Sequence, residues 1–249
     1  MQYHRPETLK EALQLLEDSQ PMGGGTVLTP MRHKLDGVLD LQGLDLGGLT
    51  VQEDAIRFGA GLRLQAIVDA AGSFPPRFIQ AVRHETALNM RNAATLAGLV
   101  VSGDGRSPLL TVLAAMAANI MLEPGGERMS LLDFFSNRSD RTDPFLITQI
   151  ETFNPDRLAY EMVARSPMDR PIVCACAALR PDGKIGLSVG GFGDHPVPLP
   201  DADRGADLEE LGWAASTAYA LAGDAFASAE YRSAVAAVLI KRATAEVLA

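Results

Sequence analysis

Two stretches of this chain hold residues whose types and spacing could do chemistry. In the first, Pro21-Met22-Gly23-Gly24-Gly25-Thr26-Val27-Leu28, three consecutive glycines and a threonine join an apolar segment to a short helix expected over 28–34. Glycine reaches backbone angles closed to other residues, and without a Cβ it lets a ligand approach the main chain. The N–H groups that follow, at a helix start, are suited to an anion such as a pyrophosphate. The same composition also makes a plain turn, and the stretch alone does not choose between the two. The second stretch is Asn89-Met90-Arg91-Asn92-Ala93-Ala94-Thr95-Leu96-Ala97-Gly98-Leu99, and the two must be weighed together.

Other chemistries find little support. His4, His33, His84 and His195 are scattered without metal-ligand spacing. Cys174 and Cys176 sit in the apolar run Ile172-Val173-Cys174-Ala175-Cys176-Ala177 and point to one side of an expected strand. That spacing is poor disulfide geometry, and two thiols cannot hold an iron–sulfur cluster unaided, so they read as core residues. Neither a catalytic triad nor paired carboxylates is recognisable, and no catalytic residue or metal ligand is assigned. The net charge of −9 argues against a nucleic-acid surface. Arg32-His33-Lys34, the only short basic run, reads either as a solvated helix face or as a local positive field beside an anion. No apolar run is long enough to span a bilayer, and Met1 to Pro6 lacks the apolar region of a signal peptide, so a cytoplasmic location is expected.

The elements that must position these stretches follow from periodicity and turn signals. A helix starts at Pro6-Glu7-Thr8, with Leu9, Ala12, Leu13, Leu15 and Leu16 on one face. With a strand at 37–41 this makes a small α/β unit. A hairpin is expected over 49–60, helices over 63–71 and 74–83, and an apolar helix from Ser107-Pro108 to Asn119. Strands at 119–123 and 127–129 flank Pro124-Gly125-Gly126. Further strands are expected at 144–153, 158–164, 171–179 and 185–190, the last two joined by Pro181-Asp182-Gly183. An extended connector at 196–203 then leads to two Ala-rich helices, 206–222 and 229–248. No internal repeat is present.

Taken together, the two stretches resemble the FAD-binding subunit or domain of the molybdenum hydroxylases, such as carbon monoxide dehydrogenase and xanthine dehydrogenase. That family carries an Ala-Gly-Gly-Thr loop near its N-terminus and a later Ile-Arg-Asn-x-x-Thr-Ile-Gly-Gly-Asn loop. Their counterparts here are Gly23 to Thr26 and Met90 to Leu99. Leu9-Lys10-Glu11-Ala12, Leu131-Leu132-Asp133-Phe134-Phe135 and the helix from Tyr231-Arg232 to Arg242-Ala243 are similar to further family segments. The resemblance covers nearly all 249 residues.

The resemblance implies an α+β fold: a two-part FAD-binding domain at 1–156, with a small α/β lobe (1–48) and a mixed α+β lobe (49–156). A C-terminal domain of antiparallel strands and helices would follow at 157–249. FAD is the implied cofactor, held by Met22, Gly23, Gly24, Gly25, Thr26, Val27, Thr95, Ala97, Gly98, Asp104, Ser107, Leu146 and Tyr160. Main-chain N–H groups of Gly23 to Val27 and of Ala97-Gly98, with the Thr26 and Thr95 hydroxyls, would meet the diphosphate. Gly25→Val is expected to remove flavin while leaving the fold largely intact.

This chain departs from the family pattern at four positions. Val27 replaces an Asp or Ser, and Leu99 stands in place of the closing amide. Pro108 occupies the position of a carboxylate on the adenosine side, with Asp104 nearby as a substitute. Glu161 stands where a lysine is frequent. The implied role is an electron-transfer subunit that passes electrons from a partner's iron–sulfur clusters through FAD to an external acceptor. The implied partners are an iron–sulfur small subunit and a molybdenum-cofactor large subunit, in a dimer of heterotrimers. The alternatives are a docking subunit that has lost FAD and a free-standing flavin oxidase. Short length and the lack of a substrate-domain insertion disfavour the oxidase.

Overall fold

The chain enters through a short strand, β1 (Gln2–His4), and Thr8 then caps helix α1 (Leu9–Gln14). The Thr8 hydroxyl accepts the Glu11 N–H at 3.3 Å, and the Glu11 carboxylate accepts the Thr8 N–H at 3.3 Å, so two orphan donors are met reciprocally. The computed structural model describes residues 1–249. Strands β2 (Gln20–Met22) and β3 (Gly37–Asp40) join β1 in a parallel sheet of order β1-β3-β2. The glycine stretch leaves the end of β2 and runs into a six-residue 3-10 helix, Thr29–Lys34, whose Arg32, His33 and Lys34 are exposed. Ala12, Leu16 and Leu39 form the lobe's own core, joined by Leu146 from a later strand.

Antiparallel strands β4 (Leu49–Val51) and β5 (Ala55–Gly59) open the second lobe. Helices α2 (Leu64–Asp69) and α3 (Pro76–Glu85) follow, and Phe58, Phe74 and Phe78 stack between them and the sheet. The stretch 89–99, expected as a loop, instead holds two short helices, α4 (Leu88–Arg91) and α5 (Leu96–Ser102). The family-type arginine, Arg91, is a structural clamp here. Its guanidinium donates to the carbonyls of Arg83 and Thr86 at 3.0 and 2.6 Å, meeting acceptors that α3 leaves open at its C-terminus.

Helix α6 (Pro108–Ala115) stops short of the expected Asn119, because Ala117 takes a φ of 48° and turns the chain into the sheet. Strands β6 (Asn119–Glu123) and β7 (Glu127–Ser130), helix α7 (Leu131–Asn137) and strand β8 (Leu146–Phe153) complete the five-stranded sheet, of order β4-β5-β8-β6-β7.

Strands β9 (Arg157–Val163), β10 (Val173–Leu179), β11 (Ile185–Gly190) and β12 (Val197–Ala202) form a four-stranded antiparallel sheet, order β12-β11-β10-β9. The expected connector at 196–203 is thus a strand. Its Pro198 and Pro200 hid it in the sequence, and β12 tolerates them because it lies at the sheet edge. Helices α8 (Leu208–Ala218) and α9 (Ala229–Leu248) pack on one face of this sheet.

Strand β10 explains the cysteines. Cys174, Cys176 and Ala178 face the core shared with α3 and α6, while Ala175, Ala177 and Leu179 face the core under α8 and α9. Small residues on both faces let helices approach from both sides. Burial pushes the Cys174 thiol up to about 12, so it is an inert packing residue. A second buried feature ties down the C-terminal part. Arg232, fully buried on α9, donates to the carbonyls of Ile172 (3.0 Å) and Gly191 (2.5 Å) and to Asp224 (2.6 Å).

Candidate cofactor site

A cleft of about 1230 Å³ lies between the small α/β lobe and the second lobe. Its walls include Met22 to Leu28 from one side and Ala93 to Thr95 from the other. The two walls interlock through missing side chains. A Cβ on Gly24 would lie 1.7 Å from the Ala93 carbonyl oxygen, and one on Gly23 would lie 2.4 Å from Thr95 Oγ1. Gly25 is glycine for a different reason, since its φ of +68° is left-handed backbone. The triple glycine therefore combines two close approaches with one special dihedral.

The donors are unevenly available. No N–H from Gly23 through Leu28 donates to a backbone carbonyl. Leaving such a group dry costs about 1–3 kcal/mol, so a row of them persists only where water or an anion meets it. On the opposite wall the expected donors are spent. Ala97 N–H donates to the Ala60 carbonyl at 3.1 Å, and Gly98 N–H donates to Thr95 Oγ1 at 3.2 Å. Thr95 is the N-cap of α5, and it also makes a strand-like bridge with Arg63. Its first duty is to hold this wall in shape.

Of the residues expected at the site, Met22, Gly23, Gly24, Gly25, Thr26, Val27, Thr95, Ala97, Gly98 and Leu146 line the cleft. Three do not. Asp104 accepts both guanidinium nitrogens of Arg170, one at 3.1 Å, and the Arg106 N–H at 2.8 Å. Ser107 is fully buried as the N-cap of α6. Tyr160 is buried in the core with its hydroxyl on the Met162 sulfur at 3.0 Å.

The departures from the family pattern have local explanations. Val27 is exposed at the cleft edge, where its side chain costs little and its N–H is unchanged. Leu99 packs against the main core. Glu161 reaches Arg77, at 3.7 Å, which also pairs with Glu246 of α9, so the charge at this position joins a surface network away from the cleft.

Among the lining residues that were not foreseen, two charged ones bear on the ligand. Arg170, from the segment between β9 and β10, brings a cation to the cleft in place of Arg106. Arg106 instead donates to the carbonyls of Pro171 and Arg170 and sits 4.2 Å over the Phe226 ring. Glu85, at the end of α3, is half-buried and lines the cleft. Burial raises the pKa of its carboxyl; bonds from Ser107 and Leu109 and the charge of Arg170 work against that shift. A lone Glu after Arg83-His84 carries no sequence signal for such a place.

This cleft, with its open main-chain donors, can hold an anionic, extended ligand. Residues 1–152 match the family described as FAD binding domain in molybdopterin dehydrogenase. The chain belongs to that family. FAD is its cofactor, and the chain is the flavoprotein component of an oxidoreductase. Relatives include the glyceraldehyde dehydrogenase medium chain of Sulfolobus acidocaldarius, 29% identical over 222 residues, covering 81% of this chain and 79% of the relative. The nicotine 6-hydroxylase medium subunit of Paenarthrobacter nicotinovorans is also 29% identical, covering 99% of this chain and 96% of the relative. In fold, the chain matches one from a Cu,Mo-CO dehydrogenase in its cyanide-inactivated form, with a TM-score of 0.84 at 23% identity. That match covers 100% of this chain and 97% of the other. The residues present fit the cofactor: Gly23 and Gly24 leave a cradle that a Cβ would fill, and the loop's N–H groups suit a diphosphate.

Proposed function

We propose that this chain is the FAD-binding electron-transfer subunit of a multi-subunit molybdenum hydroxylase. The observation that carries the proposal is the row of open N–H groups from Gly23 to Leu28, in a cleft whose walls interlock at Gly24 and Ala93. When bound, FAD supplies the redox chemistry, accepting electrons from a donor and passing them to an external acceptor. The protein's part is to bind and orient it. Gly23 to Val27 would hold the diphosphate through main-chain donors, Thr26 would add a hydroxyl, and Arg170 would offset negative charge.

The donor would be an iron–sulfur small subunit beside a molybdenum-cofactor large subunit, assembled as a dimer of heterotrimers. Supporting this, the chain has two cysteines, both buried, and no group of three or more His, Cys, Asp or Glu side chains is placed to hold a metal. No helix is long and apolar enough to cross a membrane.

One observation favours a second reading, a docking subunit without flavin: the N–H groups of Ala97 and Gly98 are already used within the protein. Flavin released on denaturing the intact complex separates the two. One FAD per chain supports the electron-transfer subunit, whereas a flavin-free complex that retains all its subunits supports docking alone. Recovery of the chain by itself, with dehydrogenase activity of its own, would sink both.

A further inference from the structure

We infer that Glu85 is a cofactor-binding residue whose Oε1 accepts a hydrogen bond from a hydroxyl of the bound FAD. The inference rests on the FAD reading above and adds to it a contact that the family-type positions do not contain. Glu85 ends α3, and one carboxyl oxygen is fully engaged: Oε2 accepts the Ser107 hydroxyl at 2.6 Å and the Leu109 N–H at 3.0 Å. Oε1 has no bond from the protein, although the residue lines the cleft. Two bonds on Oε2 fix the carboxyl plane, so Oε1 is held in place before any ligand arrives.

The competing carboxylates are unsuited. Glu17, Asp45 and Asp143 also line the cleft but are exposed, where water satisfies them at no cost. Asp104 is occupied by Arg170 and the Arg106 N–H, and it lies off the cleft. The location is also informative. Ser107 and Leu109, the two groups that grip Glu85, flank Pro108, the position where the family pattern has its carboxylate. Proline cannot supply that group, and α3 delivers a carboxyl to the same helix start from another part of the chain. FAD offers two kinds of hydroxyl donor, on the adenosine ribose and on the ribityl chain.

The test is titration of the full-length, flavin-free chain with FAD, ADP and FMN, for the wild type, Glu85→Gln and Glu85→Asp. Glutamine keeps an acceptor for Ser107 and Leu109 but presents an amide N–H₂ to the cleft. We expect it to weaken FAD binding about tenfold, the usual scale of a charge-assisted hydrogen bond. Loss with ADP but not FMN assigns the ribose hydroxyl, and the reverse assigns the ribityl chain. Aspartate keeps the charge on an arm one methylene shorter, and it carries the same expected loss should the glutamine variant fail to fold. A purely structural Glu85 would lower the melting temperature of the flavin-free chain and leave the affinity of the folded protein unchanged. Unchanged FAD affinity in both variants overturns the inference while the FAD site stands. A wild-type chain that takes up no FAD overturns both.

Discussion

The Cβ that Gly24 lacks would lie 1.7 Å from the carbonyl oxygen of Ala93, and that gap locks the two walls of the cofactor cleft together. The nearest atoms are all main chain, Ala93 O, Ala93 C and Ala94 N, so no flexible side chain can yield. Gly24→Ala must push one wall off the other. We expect at least a hundredfold loss of FAD affinity, with a stability loss on the order of 1–3 kcal/mol, the usual cost of overpacking. Flavin content and a urea melt check it; full flavin retention would show that the walls are not coupled.

Gly25 tests the dihedral rather than the contact. Its φ of +68° is left-handed backbone, so Gly25→Val is expected to strain the loop itself and to lose flavin by that route. A side chain there costs roughly 1–2 kcal/mol for most residues, and less for Asn, which tolerates left-handed backbone. Gly25→Asn should therefore keep more flavin than Gly25→Ala. Equal losses would shift the cause from backbone strain to Thr29 Oγ1, which lies 2.8 Å from the added Cβ.

Thr95 acts as a cap before it acts as a ligand. Its hydroxyl accepts the Gly98 N–H, so Thr95→Ala should cost about 1 kcal/mol of stability, and Thr95→Ser should restore most of it. Thermal melts of the flavin-free chain make the comparison. A Thr95→Ala chain as stable as the wild type would assign the hydroxyl wholly to the cofactor.

Glu85 gives a pH dependence with a definite sign. Burial raises its folded-state pKa above the ordinary value of 4.5; Asp104 adds to the rise, and Ser107, Leu109 and Arg170 oppose it. A raised value in the folded state means that the folded chain holds the proton more tightly than the unfolded one. The associated stability is complete below about pH 4.5 and is lost as pH climbs through the folded value. The stability of the wild type relative to Glu85→Gln should therefore fall from about pH 4.5 upward in the flavin-free chain. A difference that stays constant up to about pH 8 would mean that the carboxyl titrates normally.

By itself the sequence determined most of the elements and the glycine loop, but not the short helices at 88–102 or the edge strand at 197–202. Turn residues and periodicity are local, so the glycine stretch at 23–25 and the strand that carries Cys174 and Cys176 could be read before any contact was known, whereas the capping role of Thr95 could not. Cys174 and Cys176 were legible as core residues for the same reason, since alternation along one strand fixes which side chains share a face. Tertiary structure decided which groups remain free. Ala97 and Gly98 look like donors in sequence, but Ala60, 37 residues before Ala97 (97 − 60), takes one N–H, and Thr95 takes the other. Asp104 looks like the spare carboxylate, but it is held by Arg170, 66 positions away, while Glu85 is carried to α6 from the end of α3. Hydrogen-bond satisfaction is settled by whichever partner the fold brings within about 3 Å, and local sequence holds no record of that distance.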